Sequence, residues 1–198
     1  MMTAIEDDAF VRLFQERTGL TPVDGWAGRD TIAMLDKLAP PKPARSDGMP
    51  EDYWPMLAKI ESGNQPYIQA ASSSASGLYQ FIRSTWIGEG GKWGPTLRPA
   101  FGGLRPSEAE QLARAKSFTA KNAAYLRSRG VPINKATLYA AHFLGPVTAG
   151  AILAAPLTAR ADTLAGAAAT KANPSILSGK TVGDFVDWLE RKTGDRAK

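Results

Sequence analysis

The stretch DYWPMLAKIESGNQPYIQAASSSASGLYQFIRSTW, residues 52–86, opens as a helix and turns into a polar loop. Asp52 suits a helix N-cap, Pro55 is tolerated in a first turn, and Gly63 suits the stop after Ser62. Within that helix Trp54, Leu57, Ala58 and Glu61 fall at i, i+3, i+4 and i+7, so Glu61 shares the face that should be buried. It also occupies the last turn, where the helix dipole presents negative charge. Burial and dipole both disfavour a carboxylate and should raise its pKa, the condition for a general acid near neutral pH. From periodicity alone, a helix-end glutamate turned toward solvent is the favoured alternative.

Outward from this stretch, helix signals dominate. Ser107-Glu108-Ala109-Glu110 reads as a capping box opening a long helix to Arg129, with the stop at Gly130. Asn134 caps the next helix, which ends at Gly145-Pro146. The Ala-rich run from Thr148 to Ala169 predicts one or two tightly packed helices, broken near Pro156. Thr181 opens a last helix with Val182, Phe185, Val186 and Leu189 on one face. No alternating pattern argues for a strand. The fold class expected is mainly α.

LAPPKPARSDGMP, residues 38–50, carries four prolines and a glycine in thirteen positions. Such a run resists helix and strand and reads as a stiff linker. The expected division is a small helical unit over 1–38, a linker over 39–50 and a larger domain over 51–198. In the small unit Phe10, Leu13 and Phe14, and again Ile32, Leu35 and Leu38, fall at helical spacing around the turn-rich TGLTPVDGWAG. Two short helices around a tight loop give little core.

The 198 residues include no cysteine and one histidine, which excludes disulfides, thiol chemistry and a His/Cys zinc site. No carboxylate loop has calcium-ligand spacing, so neither metal nor cofactor is expected. Residues 1–38 hold seven acids against four bases, net −3; residues 52–198 hold eighteen bases against ten acids, net +8. A basic larger part suits an anionic partner such as cell-wall polymer, nucleic acid or a lipid surface. No recognition motif supports nucleic acid. The most apolar stretch, Leu138 to Leu157, contains His142, two prolines and two glycines and reads as core helices, not as a stable membrane insertion. MMTAIEDDAF lacks a basic-then-apolar leader, so no signal peptide is expected.

IESGNQPYIQAASSSASGLYQFIRSTW, residues 60–86, resembles the catalytic motif of lytic transglycosylases related to goose-type lysozyme. The motif is Glu-Ser ending a helix, a polar loop, Gly-Leu-x-Gln and then a Thr. Here these are Glu61-Ser62, Gly77-Leu78-Tyr79-Gln80 and Thr85, in a form similar to bacteriophage members. The resemblance covers roughly residues 52–192. It implies a lysozyme-like α-helical domain in which Glu61 is the catalytic acid/base acting on bacterial peptidoglycan. The loop chemistry agrees: Ser74 and Ser76 offer hydroxyls, Gly77 permits close approach to a sugar, and Gln80 donates and accepts. Tyr79 is the aromatic expected to face the groove, whereas Phe81 and Trp86 are expected in the core. The family's Ala-Tyr-Asn-Ala-Gly-like element corresponds to Tyr139-Ala140-Ala141-His142-Phe143-Leu144-Gly145-Pro146. His142 stands where the family has Tyr, and Phe143 where it has Asn. The contact to Glu61 therefore falls to His142 or to Tyr139 one turn earlier, with Tyr139 favoured.

Glycosidases normally use two carboxyl groups, about 5–5.5 Å apart when retaining and about 6.5–9.5 Å apart when inverting. No Asp or Glu lies between Glu61 and Glu89, although Glu89, Glu108 or Glu110 can fold back into a groove. A lytic transglycosylase, as the resemblance implies, needs one carboxyl group and leaves 1,6-anhydro ends. A hydrolytic muramidase is the alternative reading, and a phage tail component retaining the fold is another. Delivery is then from the host cytoplasm through a holin, as an endolysin, or within the virion alongside tail proteins. In the small unit, Phe14-Gln15, Gly19-Leu20, Val23-Asp24-Gly25, Gly28 and Thr31 to Leu35 resemble a peptidoglycan-binding domain, with Trp26 as the candidate wall contact.

Overall fold

The structure, a computed structural model, describes residues 7–38 and 49–198. The chain divides into two compact units, Met1–Asp47 and Gly48–Lys198. The proline-rich run read as a linker falls outside the described residues except for Met49 and Pro50.

The smaller unit holds α1 (Asp7–Thr18) and α2 (Arg29–Leu38). Its organising residue is polar. Gln15 is buried, and its amide nitrogen donates to Asp24 Oδ1 (2.9 Å), the Trp26 carbonyl (3.1 Å) and Thr31 Oγ1 (3.1 Å). Its Oε1 accepts from the Asp24 and Gly25 N–H groups. One side chain thereby satisfies the backbone of the turn-rich loop and ties it to both helices. Phe10, Leu13, Ile32, Leu35 and Leu38 keep their helical spacing but are exposed. Periodicity located these helices without locating their buried residues.

The larger unit runs α3 (Tyr53–Ser62), α4 (Arg83–Gly88), a 3-10 turn (Ala100–Gly103), α5 (Glu108–Ser128), α6 (Lys135–Leu144), α7 (Pro146–Ala154), α8 (Ala161–Ala172), α9 (Pro174–Leu177) and α10 (Val182–Thr193). Its strand content among the described residues is three isolated bridges, Gln69 with Ser76, Ser76 with Phe81, and Arg160 with Thr181. The molecule is mainly α, as its sequence pattern predicts. Among the described residues no helix is long and apolar enough to cross a membrane.

Helix α6 packs against α5, α7 and α10. Ala136 through Ala141 are buried without interruption, so this helix is covered on every side. The sequence ATLYAA permits that, because small residues let neighbouring helices approach. Asn134 caps α6 in a reciprocal box with Thr137, and Thr181 and Asp184 do the same for α10. On α10, Val182, Phe185, Val186 and Leu189 are buried on one face.

Two expected caps differ in detail. Asp52 precedes α3, but its side chain makes no cap bond; its carboxylate pairs with Lys135 Nζ at 2.7 Å instead. The ammonium outcompetes a backbone N–H for the charge. Ser107 Oγ accepts from the Glu110 N–H, while the Glu110 carboxylate turns to Arg114 at 3.5 Å. The box is therefore half formed. Helix α3 ends as its sequence predicts, with Gly63 left-handed and the Gly63 and Asn64 N–H groups returned to the Lys59 and Ala58 carbonyls.

Candidate active site around Glu61

Glu61 lies in the last turn of α3, after the buried Tyr53, Leu57 and Ala58. Ser62 fixes that turn: its buried hydroxyl donates to the Ala58 carbonyl (2.9 Å) and accepts from the Gln65 N–H (3.2 Å). The Glu61 side chain is 18% exposed and the His142 side chain 8%, with Nε2 3.9 Å from Oε1. The carboxyl is neither free in solvent nor sealed in the core.

Burial pushes the Glu61 pKa above the ordinary carboxyl value, and the Tyr139 hydroxyl and the Lys192 charge only partly oppose it. Tyr139 is itself held neutral, by burial first and then by the Glu61 charge. Burial drives His142 down to about 4, against a weaker upward pull from the Tyr79 carbonyl. The imidazole is thus neutral around pH 7, and its 3.9 Å approach to Glu61 is too long for a hydrogen bond and is not an ion pair. The His142 ring packs against both Phe81 and Phe118, which also contact each other, and stacks on Tyr139 at an interplanar angle of 12°. Its Nδ1 is buried without a hydrogen-bond partner.

Of the expected rivals for the contact, the Tyr139 hydroxyl acts on Glu61 directly, while His142 lies beside it at 3.9 Å without a hydrogen bond. They lie one turn apart on α6, and the face they share turns toward the end of α3. Lys192 was not legible as part of the site. It stands on α10, and only the packing of α10 on α6 brings its charge to bear. Tyr53 was likewise missed; it is fully buried, and the Glu61 charge helps keep its phenol neutral after burial itself.

The loop from Gln69 to Gln80 departs from expectation. Tyr79, expected to face the groove, is 5% exposed and belongs to the core. Ser76 is buried; its hydroxyl donates to the Ser74 carbonyl (3.0 Å) and accepts from the Phe101 N–H (3.3 Å). Ser74 Oγ accepts from the Arg83 N–H, at the start of α4. Gly77, left-handed at φ 76°, makes its close approach to protein, not to sugar: a Cβ there would lie 2.3 Å from Gln111 Oε1. Gln80 donates to the Gly77 carbonyl at 3.0 Å. These polar groups are consumed in holding a tight loop, because its short chain leaves backbone N–H groups that helices and strands would otherwise satisfy. The residue that organises them, Gln111 on α5, is buried. Its Oε1 accepts from the Leu78 N–H, and its Nε2 donates to the Pro66 and Pro106 carbonyls.

Ser72, Ser73 and Ser74 do border a cavity of about 390 Å3, together with Gln69, Leu97 and Arg98. Gln69 Oε1 is buried there without a partner. Two of the three acids expected as possible second carboxyl groups, Glu89 and Glu110, are committed elsewhere. Glu89 binds Lys121 Nζ at 2.9 Å and accepts from the Ser117 hydroxyl, and Glu110 faces Arg114. Among the described residues no other carboxylate contributes to the shift of the Glu61 pKa. Among the described residues no three His, Asp or Glu side chains gather as metal ligands would. Trp26, the candidate wall contact of the small unit, is 75% exposed. Neither the protein-family models nor the curated proteins compared with this chain give a match.

Proposed function

We propose that the larger unit is a lysozyme-like lytic transglycosylase that cleaves the bond between N-acetylmuramic acid and N-acetylglucosamine in peptidoglycan. The observation that carries this reading is Glu61: a partly buried carboxyl whose proton is favoured by burial, with neutral Tyr139 and His142 beside it. In the proposed cycle the Glu61 carboxyl donates its proton to the glycosidic oxygen as the C1–O bond breaks. The acetamido oxygen of the muramic acid stabilises C1. The Glu61 carboxylate then takes the proton from the C6 hydroxyl as that oxygen closes on C1. The acid is regenerated, no water is consumed, and one carboxyl group suffices.

Tyr139 supports the first stage, because its hydroxyl favours the carboxylate formed after proton donation. Lys192 acts in the same sense from a distance. Commitment of Glu89 to Lys121, and of Glu110 to Arg114, favours the one-carboxyl mechanism over a hydrolytic muramidase. The exposed Trp26 supports a wall-anchoring role for the smaller unit.

The test is mass spectrometry of muropeptides released from purified sacculi. The proposal expects ends lighter by one water than reducing ends. Reducing ends would make the protein a hydrolase, and release of nothing would favour a structural tail component.

A further inference from the structure

We propose that a second site on the larger unit, a basic cavity between the end of α4 and the start of α5, binds the free carboxylate of a peptidoglycan stem peptide. The cavity has a volume of about 480 Å3, and Lys92, Arg105 and Arg114 line it against the single carboxylate of Glu110. That volume lies in the range of small-molecule sites and holds a terminal amino acid with room to spare.

The three cations are not equivalent. Arg114 is built into the wall: Nη1 donates to the Glu89 carbonyl at 2.7 Å and Nη2 faces Glu110 at 3.5 Å. Its Nε is buried without a partner. Gly90 lets the guanidinium lie close, since a Cβ there would come within 2.8 Å of Nη1. Arg105 is exposed and lies over the Tyr67 ring at 4.5 Å, which orients it without neutralising it. Lys92 is exposed and has no anionic partner among the described residues. Glu110 is already shared with Arg114, so two cations are left for a ligand. A planar guanidinium beside an ammonium suits a carboxylate.

The cavity is fastened to the Glu61 region. Gln111 joins the Pro106 carbonyl, at the cavity wall, to the Pro66 carbonyl, five residues beyond Glu61, and Arg105 rests on the adjacent Tyr67. The identity of the anion rests on the proposed substrate: the glycan backbone is uncharged, and the carboxylates of the polymer are on its peptides. A phosphate, as in wall teichoic acids, shares this chemistry and is the source to be separated by experiment.

The test is an NMR titration of the full-length 15N-labelled protein with an N-acetylated peptide ending in D-Ala-D-Ala, its C-terminal amide, and inorganic phosphate. The free acid is expected to shift the amides of Gly90, Lys92, Leu104 and Arg105 to saturation. The amide should bind about tenfold more weakly or worse, as loss of a charged hydrogen-bond partner implies. A Lys92→Ala/Arg105→Ala double variant should lose the shifts while the rest of its spectrum is unchanged, because both side chains are exposed. Equal binding of acid and amide, absence of shifts in this region, or full binding by the double variant overturns the proposal. Shifts with phosphate but not with the peptide overturn the assignment to the stem peptide. The titration needs no turnover, so inactivity on sacculi would overturn the proposed reaction without deciding this site.

Discussion

Two polar regions of the larger unit, adjacent in sequence, are built on opposite terms. In the loop from Gln69 to Gln80, Ser74, Ser76, Gln80 and the distant Gln111 return hydrogen bonds to backbone groups. At the end of α3, Glu61 is drawn out of water with a hydroxyl and a neutral imidazole for company and no partner of matched charge in contact. Apart from Gln69 Oε1, the polar groups named in the loop are satisfied, whereas the group proposed to serve chemistry is kept short of its solvation. The contrast predicts that removing polarity from the loop costs stability, whereas removing charge from Glu61 restores it.

The largest stability effect is expected at Gln111. Replacing it with leucine keeps the volume but strands the Leu78 N–H and the Pro66 and Pro106 carbonyls, at a cost of roughly 2–4 kcal/mol. Chemical denaturation would measure this, and a near-neutral result would break the comparison. A smaller loss, about 1 kcal/mol, is expected for Ser76→Ala, which leaves the Phe101 N–H without its acceptor.

The site carries a pH signature in place of a large single loss. His142 titrates near 4 when folded, below the ordinary imidazole value of 6.5. The unfolded chain therefore binds more protons between these values, and stability falls as pH drops from about 6.5 toward 4. His142→Phe should remove that component, seen as a flatter dependence of melting temperature on pH over the window. Glu61 acts in the opposite sense. Its folded pKa is raised, so stability is lost as pH rises from 4.5 through the folded value. Glu61→Gln should stabilise the protein at neutral pH, with the difference closing in acid.

The fold was more legible than the site, for local reasons. Asn134, Gly63, Thr181 and the amphipathic face of α10 each announce a helix end or a buried stripe through residues only a few positions apart. Helices α4 and α9 are too short to show a period and went unread. Glu61 was found because helical spacing placed it on the apolar face and a motif followed it. Ser76 was misplaced because its partner, the Phe101 N–H, lies 25 residues away, and Tyr79 because its neighbour Leu78 is tied to Gln111, 33 residues away; only tertiary packing brings these groups close. Gln15 shows the same limit in the smaller unit: the apolar residues carry the helical spacing, and a glutamine holds the centre.

The most direct test of Glu61 is the rate of sacculus lysis by purified Glu61→Gln beside the unaltered protein, with folding verified by melting temperature. A fall of about 10^2 to 10^4 or more, in a protein at least as stable at neutral pH, is the predicted result. Lysis at an undiminished rate would show that the proton comes from elsewhere and would contradict the account.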